Sequence, residues 1–525
     1  MNFTRHSNNY AFLKMHLFPL IAGVSYAVSW HFDVLSFLQL VCLVPLFIAF
    51  ESIRNAPLNW KKKGLKLMLL AVLFRAPIVA IDLVWLFDIS MVALLVLIFT
   101  EIVLFTAVFS LVLNKNISNY AIICLFIFYE LIMQNVTLLV PFYQMGYAWG
   151  NHIAFIQYYS FLGVEGGSAL LILVNFALFK WYTNKKLKVF SAVSIVLFLG
   201  LNLYSVIQFY QSKNPEPDKN AKVSIVHSQI ESKNEVYRDQ PIALIDSVAE
   251  VAAPNSLVLL PEVFFNAFGW VEGLNDNKII QHIQELNKSK QQSYLAGAYI
   301  FSVNKTPSVQ SRFIEEYNIH YDNNNISILM GERTKVKSKK RFIPFFEYIP
   351  DNAIAQWINN HITSIGDDRK VSVLNREDQF VYRGKQLNTL LCYESVFPML
   401  VAAAAKDKEF LVIHTNEDWN KSQMLSDQYL KLNKANAIQV GIPVYRVSNY
   451  GYSAIINPNG SSKTVSNTGR SFTLLEGFLP LKSKTSFYSK IMGYSYWLSG
   501  LFFIYFMFSG LLLNKGKTAS QKNKK

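Results

Sequence analysis

Three groups of polar residues that could do chemistry follow short apolar runs in the second half of the chain. Glu262 follows LVLLP, Cys392 follows LNTLL, and residues 416–418, NED, follow LVIHT. In an open α/β sheet, ligands bind at the carboxyl ends of the strands. A thiol and a carboxylate brought together at such an edge can act as a nucleophile and its general base, which is the chemistry of covalent acyl transfer.

Cys392 is the cysteine best placed to be this nucleophile. The chain has three cysteines, and Cys42 and Cys124 lie inside long apolar runs. No internal disulfide framework is therefore available around Cys392. Because an isolated cysteine is more often a small buried hydrophobe than a reactive thiol, its neighbours must decide between the two.

The region around these groups alternates between strand-like and helix-like segments. Apolar runs such as KVSIVHS, SLVLLPE, SYLAGAYI, NISILMG, PVYRVSN and SAIINPNG alternate with helix-compatible stretches near 238–252, 277–289, 398–408 and 424–438. This alternation predicts a layered α/β fold. The polar linker SKNPEPDKNAK marks its beginning.

Three segments of this region resemble the nitrilase, or carbon–nitrogen hydrolase, superfamily, whose members use Glu, Lys and Cys in that chain order. They are LLPEVFF, KKRFIPFFEYIP and LLCYESVFP, and HTNEDWN and GIPVYRVSNYGYSAIINPNG are also similar. PFFEYIP, CYESVFP and the Trp of HTNEDWN favour the apolipoprotein N-acyltransferase branch, which joins such a domain to eight membrane spans. The resemblance implies a nitrilase-like αββα sandwich.

The resemblance also implies residue roles. Glu262 matches the general base, Cys392 the nucleophile and Lys339 the lysine of the family. The position of Lys339 rests on its spacing of eight residues from Glu347, so three neighbouring lysines compete with it: Lys335, Lys337 and Lys340. The supporting residues are Glu347 beside the lysine, Tyr393 and Glu394 beside the nucleophile, Trp419 in the cleft wall, Tyr237 in a loop, and Trp149 in the aromatic connection 141–163.

The implied reaction moves a fatty acyl chain from a glycerophospholipid, through a thioester on Cys392, to the α-amino group of a diacylglyceryl-cysteine apolipoprotein. No cofactor is implied, and the sequence has no spacing typical of metal ligands and no Gly-rich phosphate loop. Two other functions stay open: a membrane-tethered amidase or nitrilase acting on small amides, and a non-catalytic membrane scaffold. Many spans with charged residues inside them favour a substrate that is itself in the bilayer.

The chain as a whole is too apolar for an ordinary soluble enzyme, since 52% of its 525 residues are hydrophobic. Stretches of roughly 20 apolar residues, enough to cross a bilayer, recur along it. We predict about eight spans, near 12–30, 34–51, 65–87, 90–113, 119–140, 164–182, 188–209 and 491–513. The charged residues inside them either hold helices together or bind lipid head groups: Arg75, Asp82, Glu101 and Glu130.

Lysines and arginines divide the connections between these spans into two sets. They occur in both terminal segments and in the connections 52–66, 114–118 and 183–188, and they are absent near His31, near Asp88 and from 141–163. Positive residues in short connections stay on the cytoplasmic side, so we predict cytoplasmic termini and a catalytic region that faces outward. The resemblance implies that the membrane is the inner membrane of a bacterium and that the outer side is the periplasm. The net charge of +15 is then explained by Lys and Arg beside the membrane, and no nucleic-acid partner is expected.

This reasoning predicts a membrane domain with seven spans over 1–211, an extracytoplasmic catalytic domain over 212–488, and a last span with a basic tail over 489–525. The connection 141–163 is expected at the outer interface, where it could line a lipid entrance. The expected partners are the phospholipid donor, the diacylated apolipoprotein acceptor and the bilayer.

Overall fold

The computed structural model describes residues 13–505, except 116, 119, 137–138, 185–187, 230–240, 267, 364–369, 468, 470, 493, 495–497 and 499. The chain divides into two compact units, one formed by Met1–Tyr210 with Ile491–Lys525 and the other by Gln211–Lys490. We call the first the helical unit and the second the α/β unit.

The helical unit is built from apolar helices. They are α1 (Phe18–His31), α2 (Val44–Asn55), α3 (Trp60–Asp82), α4 (Met91–Ser110), α5 (Ala121–Met133), α6 (Tyr159–Thr183) and α7 (Lys188–Gln211). Among the described residues five stretches are long and apolar enough to cross a membrane: Asp33–Asn55, which contains α2, and helices α3, α4, α6 and α7. A multi-span helical domain is therefore confirmed.

The predicted count of about eight spans is not confirmed. Helix α1 has 14 residues and α5 has 13, both shorter than a membrane crossing requires for a straight helix. The predicted span near 491–513 lies mostly outside the described residues.

The connection 141–163 folds into the helical unit. Its Tyr143 carbonyl accepts a hydrogen bond from the Tyr26 hydroxyl over 2.7 Å, and its Gln144 carbonyl accepts one from Trp30 Nε1 over 2.9 Å. Its short 3-10 turns lie at Pro141–Tyr143, Met145–Trp149 and Ile153–Phe155, and the first two are buried throughout. Helix α1 thus supplies hydrogen-bond partners that this non-helical backbone needs.

The charged residues inside the spans meet across helices. Arg75 Nη2 on α3 lies 2.7 Å from Glu101 Oε2 on α4. The same carboxylate accepts hydrogen bonds from the hydroxyls of Tyr129 and Tyr143. Glu130 accepts a backbone N–H from the connection that follows α5, over 2.8 Å. These contacts favour the first of the two predicted roles, that of holding helices together.

The α/β unit contains thirteen described strands. They are β1 (Pro217–Ser228), β2 (Ser256–Leu259), β3 (Ser293–Val303), β4 (Arg312–Ile314), β5 (Ile319–Met330), β6 (Lys335–Ser338), β7 (Phe380–Tyr382), β8 (Lys385–Leu391), β9 (Phe410–Thr415), β10 (Val444–Ser448), β11 (Tyr452–Ile456), β12 (Ser462–Ser466) and β13 (Phe472–Pro480). Its helices are α8 (Pro241–Val251), α9 (Lys278–Lys290), α10 (Ala353–Ile358), α11 (Pro398–Ala405), α12 (Gln423–Val440) and α13 (Phe487–Ile491).

The strands form two sheets. The first has the order β13-β1-β2-β3-β5-β4, with β6 also paired to β5, and the second has the order β12-β11-β10-β9-β8-β7. Strands β1, β2 and β3 are parallel neighbours, as are β8, β9 and β10. The carboxyl ends of each parallel set therefore meet at one edge of its sheet.

Alternate residues of each strand face two different cores. In β2, Leu257 and Leu259 pack between the sheets, whereas Val258 packs on the side of α8 and α9. In β9, Val412 lies between the sheets and Leu411 packs on the side of α11 and α12. Because both faces are covered, the strands read as continuous apolar runs rather than as alternating ones. The layers follow the order α-β-β-α, which confirms the predicted sandwich.

Candidate active site

The two sheets bring three residues to one place from distant parts of the chain. Glu262 stands three residues after β2, Lys339 directly follows β6, and Cys392 directly follows β8. The first sheet thus supplies the carboxylate and the ammonium, and the second supplies the thiol. All three side chains are buried.

Cys392 occupies a strained backbone position. Its φ angle is +45°, in the left-handed region that side chains other than glycine rarely adopt, and it begins a 3-10 turn that ends at Val396. Such strain costs on the order of 1–3 kcal/mol and persists only where the surroundings impose it. Here Glu394 imposes it, because its carboxylate accepts the N–H of Leu391 over 2.8 Å and that of Lys340 over 2.7 Å. The Glu394 side chain thereby links the backbone that precedes Cys392 to the backbone that follows Lys339.

Lys339 lies between two carboxylates. Its Nζ is 2.9 Å from Glu262 Oε1 and 2.7 Å from Glu347 Oε1. The second oxygen of Glu347 accepts the N–H of Ile343 over 2.9 Å, which fixes the carboxylate against the lysine segment. Burial lowers the pKa of Lys339, but Glu262 and Glu347 outweigh it, so this pKa is raised well above its usual value. The ammonium therefore stays charged.

Glu262 is held by three donors. Besides Lys339, the Asn325 side-chain amide donates to Oε1 over 2.9 Å, and the backbone N–H of Asn416 donates to Oε2 over 3.1 Å. The backbone carbonyl of Asn325 also accepts the backbone N–H of Lys339 over 2.8 Å. A single residue of β5 thus positions both the carboxylate and the ammonium.

The Cys392 thiol is protonated at neutral pH. Burial raises the pKa of this thiol and Glu262 raises it further. Lys339 and the Tyr429 hydroxyl lower the pKa, but their effects are smaller than those of burial and Glu262. Removal of the proton must then accompany attack on an electrophile, with a base in place to receive it. Glu262 is the carboxylate suited to this role.

The competing lysines have other partners. Lys335 Nζ donates to the Gln379 carbonyl over 2.7 Å, and Lys337 Nζ donates to the Thr389 carbonyl over 3.2 Å. Lys340 Nζ lies 2.7 Å from Glu377, and its side chain is 48% exposed. Of the four lysines, Lys339 is the one that contacts Glu262.

The predicted aromatic residues fall in different places. The Tyr393 ring packs edge to face on Phe397 at 5.0 Å, and the half-buried Trp419 ring lies 5.1 Å from that of Phe346. Trp149 belongs to the helical unit, where its indole N–H donates to the Ser36 carbonyl over 3.1 Å. Tyr237 lies outside the described residues.

Three residues near the site did not emerge from the sequence: Asn325, Tyr429 and Gly297. The Tyr429 hydroxyl lies 3.6 Å from Cys392 Sγ. A Cβ atom on Gly297 of β3 would lie 2.5 Å from the Glu262 Cα, so only glycine allows this close approach. A signal that could have pointed to Asn325 is the run of three asparagines, 323–325, which precedes the apolar end of its strand.

The arrangement contains the parts that covalent acyl transfer needs. Among the described residues there is no group of three His, Cys, Asp or Glu side chains placed to hold one. A nucleophile, a base and a fixed cation for the developing oxyanion are the parts that covalent acyl transfer needs.

Two family models match the chain. Residues 22–177 match the apolipoprotein N-acyltransferase N-terminal domain, and residues 222–473 match the carbon–nitrogen hydrolase domain. Together with the apolar helices and the αββα sandwich, they define a membrane-embedded member of the carbon–nitrogen hydrolase superfamily.

Curated relatives give the family more narrowly. The chain is 23% identical to the apolipoprotein N-acyltransferase of Haemophilus ducreyi, with 66% of each protein covered, and 25% identical to that of Rickettsia prowazekii, with 74% of this chain and 76% of the relative covered. The chain therefore belongs to the family of apolipoprotein N-acyltransferases, and it is a bacterial membrane protein. It spans about two thirds of the length of the Haemophilus ducreyi relative.

Similar solved structures include a carbon–nitrogen hydrolase from Helicobacter pylori G27, at 13% identity and a TM-score of 0.33, covering 49% of this chain and 88% of that one. An amidase from Nesterenkonia sp. aligns at 14% identity and a TM-score of 0.30, covering 53% of this chain and 96% of that one.

Proposed function

We propose that this chain transfers a fatty acyl chain from a glycerophospholipid to the α-amino group of the diacylglyceryl-cysteine of apolipoproteins. One observation carries the proposal: Lys339 bridges Glu262 and Glu347 in a buried cluster that acts electrostatically on the Cys392 thiol. The relatives' activity, as their names state it, supports the choice of substrates.

In the first half of the reaction, Cys392 Sγ attacks the ester carbonyl of the phospholipid while its proton passes to Glu262. The tetrahedral intermediate carries a negative oxygen, which the Lys339 ammonium stabilises together with backbone N–H groups at the start of the 3-10 turn. The intermediate collapses by breaking the bond to the glycerol oxygen. That oxygen takes the proton from Glu262 and leaves as the lysophospholipid hydroxyl.

In the second half, the free α-amine of the diacylglyceryl-cysteine attacks the thioester. Glu262 takes a proton from the attacking nitrogen and returns it to the sulfur as the thiolate leaves. The products are an amide on the apolipoprotein and the free Cys392 thiol. Glu347 orients Lys339 through both halves, and Glu394 and Tyr393 shape the cleft beside the nucleophile.

The α/β unit is proposed to lie on the periplasmic side of the inner membrane, as the region 212–488 between the seventh and the last span. The support is the distribution of Lys and Arg, which occur in alternate connections and in the terminal segments. Tyr237 and Trp149 are proposed to contact the lipid substrates. A reporter fused after residue 220 is expected to behave as extracytoplasmic and one fused after residue 60 as cytoplasmic.

The test uses the purified full-length protein in detergent with acyl-labelled phospholipid and a diacylated lipopeptide. We expect label to appear in an amide on the lipopeptide with wild type and not with Cys392→Ala. A small-amide hydrolase would transfer no label here but would release ammonia from an added small amide, and a scaffold would do neither. Normal transfer by Cys392→Ala would refute the proposal.

A further inference from the structure

The Tyr429 hydroxyl is a polar group that the structure places at the nucleophilic sulfur itself. It lies 3.6 Å from Cys392 Sγ, on helix α12. The Tyr429 side chain is fully buried, with 1% of the residue exposed. It comes from the second sheet's helical layer, opposite the Glu262 and Lys339 contributed by the first sheet.

The charges around Cys392 create a need for such a group. Two carboxylates, Glu262 and Glu347, share the single Lys339 ammonium. Moving the thiol proton onto Glu262 leaves the negative charge on the sulfur. A buried thiolate then requires a hydrogen-bond donor, because an unsolvated anion in a low-dielectric interior is costly.

We propose that Tyr429 is a catalytic residue whose hydroxyl donates a hydrogen bond to the Cys392 thiolate. It does so when the thiolate attacks the phospholipid ester and again when the thiolate leaves in the second half. The phenol keeps its proton throughout, since the thiol proton goes to Glu262. This role rests on the proposed acyl transfer, which is what makes the thiolate form.

A buried cation lies against the face of the Tyr429 ring. The Arg446 guanidinium carbon lies 5.2 Å from the centroid of the Tyr429 ring, and no part of Arg446 is exposed. Arg446 is itself held by the Glu417 carboxylate and by Asn433 Oδ1 at 3.1 Å. The attraction between this cation and the π electrons of the ring holds the ring, and with it the hydroxyl, beside the sulfur.

The test compares Tyr429→Phe with Tyr445→Phe in the purified full-length protein. Tyr445 is the matched control, because it is fully buried and its hydroxyl donates a hydrogen bond to the Phe478 carbonyl over 2.8 Å, away from Cys392. Two quantities are measured: the pH dependence of Cys392 alkylation by iodoacetamide, and the rate of acyl-enzyme formation with labelled phospholipid. Cys42 and Cys124 are replaced by Ala so that only Cys392 reacts.

With Tyr429→Phe we expect the alkylation profile to move to higher pH and acyl-enzyme formation to slow by about ten- to a hundredfold, the range for a lost hydrogen bond to a charged group. Tyr445→Phe should leave both unchanged. Incorporation of 3-fluorotyrosine at position 429 keeps the shape and acidifies the phenol, so it should move the profile to lower pH even if Tyr429→Phe folds poorly.

An alkylation profile that neither substitution at position 429 moves would overturn the role of Tyr429, whatever happens to acyl transfer. Alkylation does not depend on phospholipid or lipopeptide. A shifted profile in a protein whose wild type transfers no acyl chain would therefore keep the hydrogen bond to the thiolate and remove the proposed function.

Discussion

Each unit contains a buried ionic cluster, and the two clusters differ in charge balance. In the helical unit one guanidinium, Arg75, faces one carboxylate, Glu101, whose oxygens also accept two tyrosine hydroxyls. In the α/β unit one ammonium, Lys339, serves two carboxylates beside a thiol. A pair of one cation and one carboxylate holds elements together, whereas two carboxylates that share one cation beside a thiol provide an acceptor for the thiol proton.

The largest expected effect is on the stability of the helical unit. Arg75→Met leaves the Glu101 carboxylate buried without its cation, which should cost about 3–5 kcal/mol of unfolding free energy. Thermal unfolding in detergent measures the loss. Adding Glu101→Gln should recover much of it, and the alkylation rate of Cys392 in the folded protein should stay unchanged. A stable Arg75→Met variant with unreactive Cys392 would reverse the roles assigned to the two clusters.

The next effect is on catalysis. Lys339→Met removes the fixed cation from the oxyanion, and loss of one such donor typically costs about 10²–10³ in rate. Single-turnover acylation with labelled phospholipid measures it. Lys339→Arg should not rescue, because a planar guanidinium cannot occupy a point-charge site between two carboxylates. Lys340→Met is the control: its exposed pair with Glu377 predicts a change of less than about tenfold.

Asn325→Ala should lower the acylation rate constant by about tenfold or more, the effect of removing a hydrogen bond to a charged group. Because Asn325 is fully buried and holds Glu262, the apparent KM for phospholipid should change little. Asn324→Ala is the control, since the Asn324 amide donates to the Ser372 carbonyl over 3.1 Å instead. Equal losses in both variants would assign Asn325 to strand stability alone.

The smallest effect concerns Gly297, whose backbone packs against that of Glu262, the proposed base. Gly297→Ala places a methyl group against the Glu262 Cα and should destabilise the α/β unit by about 1–3 kcal/mol, as overpacking does. It should also slow acylation by displacing Glu262. Gly273→Ala, where a Cβ would meet nothing within 4 Å, should do neither. Calorimetry and the single-turnover assay distinguish the two variants.

The sequence predicts the sandwich well because its central strands are buried on both faces. Runs such as LVLL and FLVI need no tertiary information to be recognised as strands, and a polar residue at the end of such a run marks the site. Glu262 and Cys392 are visible for this reason, with the family resemblance supplying their roles.

The remaining parts depend on pairing that local sequence does not encode. Strand β6 is a four-residue edge strand with two lysines, and only its pairing with β5 carries Lys339 to Glu262. Asn325 is aligned opposite Tyr299 by the register of β5 on β3. Tyr429 lies on a largely buried helix, where an aromatic residue at helical spacing is usually part of the core. Edge strands, register and helix orientation are set by tertiary packing.

The most direct test of a thioester on Cys392 is the mass of the peptide that contains it, after incubation with phospholipid and without lipopeptide. We expect wild type to carry one acyl chain on Cys392 that hydroxylamine removes, and Glu262→Gln to carry none. An acyl chain found on a different residue, or full occupancy of Cys392 in Glu262→Gln, would contradict the mechanism.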